Sequence, residues 1–472
     1  MSSLGKLRVA VIGAGAAGLC AARHLLSRPD TFAPPVVYEL TKYIGGTWVY
    51  EEKVGSYDNG LPIHSSMYRD LRTNIPKEVM SFPDFPFAKH LPSFVHHTEV
   101  RKYLEQYCDH FRLWDHIQFG TSVASVSPVD VKGGWNGLAW NVTTDNGVDH
   151  SKSTTERFDA VMVCNGVNRS KLTTKYLCAW QQNTFENCLD LQIPVATCYQ
   201  LNSQSKGMLM HSHDYRSAEP LAGKSVVLLG AGLSGLDICM ELSNVDAKVI
   251  LSHGQRPLTC PLPPGVQQAP PVTSVLDDGT LEFKNGERAQ PEVFLFCTGY
   301  NFTFPFLDKK VGVNVQEHLV WPLYKFLIPP AYPSLFIVGI CRAICPFPHF
   351  HVQTKFILSV LDGSFRLPSR EDMEKDVELD IAARRARGIA TRHILKLDSE
   401  QWAYNDELAR LGGFKPLPRY WSNLYESNKV FRARDMLNYK THNYTVLDNM
   451  EWKVHDLHGQ ELQKPLAVKK QM

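Results

Sequence analysis

Apolar positions along the chain fall into short runs and helical stripes, and the first of each sets the reading of the rest. Val9–Ile12 is a four-residue apolar run, the pattern of a strand buried on both faces. It breaks at Gly13-Ala14-Gly15-Ala16-Ala17-Gly18, and a helix-forming stretch follows to Leu26. A second apolar run, Val36–Tyr38, stops at Glu39, 21 residues beyond Gly18. Gly13 allows the tight turn, Gly15 lets backbone approach a pyrophosphate, and Gly18 lets helix and strand pack closely. The helix start offers free N–H groups and a positive dipole end to phosphate. Glu39 stands where an acid meets a ribose hydroxyl. Gly45-Gly46-Thr47-Trp48 follows, and its paired glycines suggest the chain again running against a large dinucleotide.

Tyr57–Pro86 carries no helical period. Its polar positions cluster in His64-Ser65-Ser66-Met67-Tyr68 and Leu71-Arg72-Thr73-Asn74-Ile75-Pro76-Lys77. Pro76 keeps the residue before it extended, which places Asn74 in a loop, where spacing alone favours a local Asx turn. Ser93–Tyr107 reads as a helix with Val100, Leu104 and Tyr107 on one face. From Phe119 to Asn146 the period falls to two, with a hairpin signal at Asp145-Asn146-Gly147, and Phe158–Gly166 is another buried strand. Residues 167–205 show no sustained period and read as a long, partly disordered connection.

The opening pattern then returns. Lys224–Leu229 runs into Gly230-Ala231-Gly232-Leu233-Ser234-Gly235, 217 residues after the first turn. The next strand, Lys248–Leu251, leads to Ser252-His253-Gly254-Gln255-Arg256. No carboxylate stands at the ribose position, and small polar groups with a cation suit a 2′-phosphate, so NADP is expected rather than NAD. The plainer alternative is that Arg256 is a solvated loop residue. Turn signals at Asp278-Gly279 and Asn285-Gly286 give a compact hairpin, after which Val293–Tyr300 is expected to return the chain to the first domain.

The fold expected is α/β, two dinucleotide-binding (Rossmann-like) domains with the second inserted in the first. Residues 1–170 and 295–472 (the latter with the C-terminal tail) build the first, 206–294 the second, and 171–205 is an atypical insertion or connector. One domain should hold a flavin and the other the nicotinamide that reduces it, because hydride transfer needs two stacked rings at contact distance.

Composition changes this picture little. With 44% hydrophobic and 21% charged residues the chain is ordinary globular protein, and a net charge of +2 argues against a dedicated nucleic-acid binder. Residues 1–7 are too short and polar for a secretory signal, and no run of 18 apolar residues predicts a transmembrane helix. The 11 scattered cysteines read as reduced, mostly buried thiols of a cytoplasmic protein, with room for peripheral membrane contact. Cys341, Cys345, His349 and His351 have metal-like spacing, but the proline-punctuated CPFPHFH run reads as a packed loop, and no metal is expected.

These motifs together carry a family resemblance. The chain resembles the flavin-containing monooxygenases, of the soluble kind found in plants and invertebrates. The resemblance covers nearly the whole chain: GAGAAG, IGGTW, LRTNIPKEVM, the CNG and FCTGY strand ends, GAGLSG and PLYKFLIPPAYPSLFIVGI. The family's FxGxxxHxxxY pattern aligns on Gly207, His211 and Tyr215, with Ser205 in place of the phenylalanine, and Gly254 stands where an arginine is usual.

The resemblance implies FAD and NADPH as cofactors. It implies that reduced flavin takes up O2 and, as a C4a-hydroperoxyflavin, gives one oxygen atom to a soft nitrogen or sulfur nucleophile, an amine or a sulfide. By the same resemblance Glu39 takes the FAD ribose, and Gly45, Gly46, Thr47 and Trp48 line the flavin. Asn74 matches the family's catalytic asparagine beside flavin and nicotinamide ribose, and Gln353 a glutamine near the isoalloxazine edge. Ser234, Ser252 and Arg256 would serve NADP over Gly230, Gly232 and Gly235, with Thr298 and Gly299 at the FCTGY strand end.

Three other readings compete. A disulfide reductase needs a redox cysteine pair soon after the first helix, and no cysteine lies between Cys20 and Cys108. A Baeyer–Villiger monooxygenase has tryptophan where this chain has Tyr215. An uncoupled NADPH oxidase or inactive flavoprotein would follow if the 171–205 segment disrupts the hinge.

Overall fold

Our computed structural model describes residues 5–57, 60–135, 137–146, 153–166, 170–171, 207–276 and 278–465 of the 472. The expected connector at 171–205, apart from Lys171, lies outside the described residues, as does Ser205.

Val9–Ile12 (β1), Ala16–Leu26 (α1) and Val36–Tyr38 (β2) form where the apolar pattern placed them. β1 is the centre of a five-stranded parallel sheet ordered Leu335–Ile337, Ala160–Val163 (β3), β1, β2, Ile117–Gln118. Val9, Ala10 and Val11 are at most 1% exposed, as a strand covered on both faces requires. The helix His97–His110 starts later than the pattern suggested but buries Val100, Leu104 and Tyr107. The period-two stretch folds as an antiparallel sheet of Ser122–Trp135, Leu138–Asp145 and Thr154–Phe158, whose Trp140, Val142 and Phe158 join the core around β1.

The second sheet is also parallel and five-stranded, ordered Val266–Ala269, Lys248–Ser252 (β5), Ser225–Leu229 (β4), Val293–Phe296 (β6), Met208–His211. Its side chains alternate cleanly. Val226, Leu228, Val249, Leu251, Val293 and Leu295 pack with the helix Leu233–Ser243 (α2). Val227, Leu229, Ile250, Phe294 and Phe296 pack on the opposite face, with the hairpin strands Val272–Val275 and Leu281–Phe283. β6 therefore stays in the second sheet to Phe296, and the expected boundary at residue 294 cuts through a strand.

Two further expectations are corrected. Lys77–Met80 makes one helical turn after Pro76, inside a stretch read as non-helical. CPFPHFH is not a loop: Pro346–Leu361 (α3) is a 16-residue helix with Cys345 at its N-cap and Pro346 at its first position. Prolines in a first turn remove N–H groups that have no helical partner, so they start this helix rather than break it. α3 packs against α1. Aromatic residues from the C-terminal helix Arg419–Arg434 and the final hairpin, among them Trp421, Tyr425, Tyr444 and Trp452, return to bury Val79 and Phe94. No helix among the described residues is long and apolar enough to cross a membrane.

The tightest contact in the first sheet is at Gly18, where an added Cβ would lie 1.8 Å from the Gly13 carbonyl oxygen. Gly18→Ala is expected to cost about 1–3 kcal/mol or more, read as a lower unfolding midpoint or loss of folded chain. Gly254→Ala, whose Cβ would meet only Pro271 at 3.5 Å, should stay within about 0.5 kcal/mol of the parent.

Candidate active site

The first glycine turn is built by backbone contact. Gly13 has φ +105°, and a Cβ there would meet the Cys164 carbonyl oxygen at 2.7 Å. Its N–H donates to the Tyr38 carbonyl at 2.8 Å, and Ala14 N–H donates to Glu39 Oε2 at 2.8 Å. Thr41 donates to Glu39 Oε1 from its N–H and its hydroxyl, at 2.9 and 2.8 Å. Glu39 is thus fixed at the turn with lone pairs left for a ribose diol. Gly45 N–H donates to the Ala14 carbonyl at 3.0 Å, and a Cβ on Gly46 would lie 3.2 Å from Gly15 Cα. The paired glycines are needed because this segment lies backbone to backbone on the turn. Gly46 and Thr47 are exposed, Trp48 is half-buried edge-on to Phe347, and α1 starts at Gly15 without a side-chain cap. An uncapped helix start beside two glycines fits a pyrophosphate.

The second turn repeats the first. Gly230 has φ +114°, and a Cβ there would lie 2.7 Å from the Cys297 carbonyl oxygen. A Cβ on Gly235 would lie 2.0 Å from the Gly230 carbonyl oxygen. Gly232 and Ser234 are exposed at the uncapped start of α2. Thr298 and Gly299 follow β6, partly buried. Arg256 is exposed and forms no ion pair among the described residues. Ser252 must be withdrawn as a nucleotide contact: it is 0% exposed, and its hydroxyl donates to the Pro270 carbonyl at 2.9 Å.

A polar seam joins the two sheets. The Tyr68 hydroxyl donates to Asp237 on α2 at 3.1 Å, and Lys440 Nζ reaches the same carboxylate oxygen at 2.8 Å and the Arg72 carbonyl at 3.1 Å. Tyr215 donates to Glu241 Oε2 at 2.7 Å. The buried Arg216, missed in the sequence, donates to the carbonyls of Glu51, Lys53, Ser65, His213 and Tyr215. Asn74 lies on this seam in a loop, half-buried, its Oδ1 accepting from the Tyr439 hydroxyl at 3.2 Å. Gln353 does not join the site. It is 0% exposed, its Oε1 accepts from Gly339 N–H and its Nε2 donates to the Tyr404 hydroxyl, both at 3.0 Å, so it cannot touch a cofactor.

Cys341, Cys345, His349 and His351 do not converge as their spacing allowed. His349 is in the core, with Nδ1 3.0 Å from Asn405 Oδ1. His351 instead meets Cys20 and His24 across the α1–α3 contact, with ligand atoms within 4.8 Å. Arg23 lies 3.1 Å from His24 Nδ1, so that nitrogen accepts; Nε2–H then donates to His351 Nδ1 at 3.1 Å. Burial pushes both imidazoles down, His351 to about 3. His24 Nδ1 is thus spent on Arg23, and His24 Nε2 and His351 Nδ1 on each other.

Two Rossmann-like sheets, each carrying a bare glycine turn, are thus held together by a polar seam. The chain belongs to the flavin-binding monooxygenase-like family, whose sequence profile matches residues 6–180, 185–257 and 264–422, including most of 171–205. It is therefore a flavin-dependent oxygenating enzyme. It is 35% identical to flavin-containing monooxygenase FMO GS-OX-like 7 of Arabidopsis thaliana over 444 residues, 90% of this chain and 88% of that one. The solved S-allyl-L-cysteine S-oxygenase of Allium sativum superposes with a TM-score of 0.78 at 31% identity, covering 93% of this chain and 95% of that one. Tmm of Pelagibacter sp. strain HTCC7211 superposes with a TM-score of 0.76 at 25% identity, covering 92% and 93%.

Glu241 gives the seam a pH dependence. Burial, with Asp70 and Asp237 nearby, raises its carboxyl to about 7 against the lowering by Tyr215. An acid raised from its ordinary 4.5 keeps its proton on folding; its contribution is intact below about pH 4.5 and lost as pH rises through about 7. Glu241→Gln should therefore melt about 2–4 °C above the parent at pH 8 and within about 1 °C of it at pH 5, measured by calorimetry.

Proposed function

We propose that this chain is an NADPH- and O2-dependent monooxygenase that passes one oxygen atom to a soft nitrogen or sulfur nucleophile, with FAD at the first turn and NADPH at the second. The observation that carries this reading is the repetition of one glycine-turn geometry at Gly13–Gly18 and Gly230–Gly235. The S-oxygenase likeness makes a thioether the first substrate class to try.

When bound, the flavin supplies electron transfer from NADPH and activation of O2. The chain's own residues bind, orient and exclude water. Gly15 and Gly46 let backbone reach the pyrophosphate, and Glu39 accepts from the ribose. Ser234, in the first turn of α2, meets the phosphates of the second nucleotide. Trp48 edge-on to Phe347, and Phe347 stacked on Phe82 at 4.9 Å, form an aromatic wall that keeps water out. Tyr439 donates to the Asn74 amide oxygen, so that the amide N–H2 would be the group to donate to a bound cofactor.

The test is product stoichiometry on the purified chain with NADPH, O2 and a methyl aryl sulfide. Sulfoxide formed in proportion to NADPH consumed, with no ester from a cyclic ketone, is expected. Hydrogen peroxide matching NADPH with no sulfoxide would establish the uncoupled-oxidase reading, and ester formation the Baeyer–Villiger one. Asn74→Ala should keep its flavin while sulfoxide per NADPH falls about tenfold or more.

A further inference from the structure

Arg384 is 8% exposed and pairs with Asp380 at 3.0 Å and Glu400 at 2.9 Å, and the buried Arg216 spends its donors on carbonyls. Arg342 is left differently. It is half-buried, and its Nη2 donates to the Arg392 carbonyl at 2.6 Å. Its Nε is buried with no hydrogen-bond partner, and among the described residues the guanidinium forms no ion pair. Burial alone pushes this guanidinium down, with no carboxylate near enough to act against it. A partly desolvated charge without a counter-ion is costly, so the site calls for an anion that the fold does not supply.

Its neighbours carry the same sign. Arg342 N–H donates to the Leu395 carbonyl at 2.8 Å, and its own carbonyl accepts from Leu397 at 3.0 Å, which pins it beside residues 391–397. Arg392 and His393 of that segment are exposed. Burial and then Arg342, with His393 and Arg392 after it, push the His318 imidazole down. None of these four residues forms an ion pair among the described residues. The cluster lies at the carboxyl end of a strand in each sheet, where this kind of fold binds its ligands. Arg342 follows Leu335–Ile337 and precedes Phe347 of the aromatic wall. His318 Nδ1 is 3.0 Å from the carbonyl of Tyr300, the residue after Thr298 and Gly299 at the end of β6.

We propose that Arg342 docks an oxyanion carried by the oxygen acceptor, so that the preferred substrates are thioethers bearing a carboxylate. This rests on the reading of the chain as a sulfur-oxygenating monooxygenase. The planar guanidinium matches the two oxygens of a carboxylate, and charge-assisted hydrogen bonds of this kind are the strong ones. The bound carboxylate supplies the missing counter-ion, and by fixing one end of the substrate it orients the sulfur at the other. A sulfide bearing an ammonium group meets like charge instead. Arg392 adds a charge at the rim, where solvent weakens it.

Three sulfides that share one ring and one sulfur test this on the flavin-loaded full chain: para-(methylthio)benzoate, thioanisole and para-(methylthio)benzylamine, each read as sulfoxide formed. The parent should show a kcat/KM for the benzoate about tenfold or more above that for thioanisole, with the amine lowest. Arg342→Gln should raise KM for the benzoate about tenfold with kcat little changed, while thioanisole, which has nothing to dock, stays within about twofold. Arg342→Lys should recover part of the loss, and Arg342→Glu should turn the preference toward the amine. Flavin content and melting midpoint check folding, and Arg342→Met replaces the glutamine variant if that one unfolds. Equal kcat/KM for the three sulfides in the parent, or an unchanged ranking in the variants, overturns the assignment and leaves the monooxygenase reading standing. So does a loss that falls on flavin content or on KM for NADPH, which would give Arg342 to a cofactor. Sulfoxide from none of the three removes the monooxygenase reading and the Arg342 assignment with it.

Discussion

A helix in this chain must begin in contact with the strand that feeds it, and only glycine permits that contact. At Gly18 and Gly235 a Cβ would sit 1.8 and 2.0 Å from the carbonyl oxygens of Gly13 and Gly230. Those oxygens are held in turn because Gly13 and Gly230, at φ +105° and +114°, tuck under the carbonyls of Cys164 and Cys297 on the neighbouring strands. One steric condition, met twice, places the two helix starts and leaves both without a side-chain cap. The unpaired N–H groups a phosphate needs are a consequence of that packing.

A second constraint joins the halves. Arg216 supplies donors to five carbonyls drawn from the segment after Trp48 and from its own turn, where an arginine left unpaired would carry a buried charge. Tyr215 beside it, the last residue of the family pattern, spends its hydroxyl on Glu241 of α2. Of the family pattern, Tyr215 thus acts on the joint between the sheets.

Much of the fold was legible because it rests on local pattern. Val9–Ile12, Val36–Tyr38 and the two glycine turns follow from apolar runs and the absence of side chains, and the structure returns them at the same residues. Pro346–Leu361 is hidden in the sequence because two prolines within three residues argue for a loop unless the helix start is known to lie at Cys345. Arg216 gives no signal, since a lone arginine in HSHDYR looks solvated until carbonyls 150 and more residues distant close over it.

The sequence by itself determined that this chain has two strand–glycine-turn–helix units, an acid after the first and no carboxylate after the second, since glycine spacing and residue type are local facts. Tertiary structure decided which side chains reach the sites. Gln353 and Ser252 have the right chemistry but are spent in the core on Gly339, Tyr404 and Pro270. Ser252 corresponds in register to Tyr38, not to Glu39, because Gly230 pairs with the Ser252 carbonyl as Gly13 pairs with that of Tyr38, and a shift of one residue along a strand reverses the face. Hydrogen-bond partners and burial are set by chain segments far apart in sequence, so only the folded chain shows which polar groups remain free.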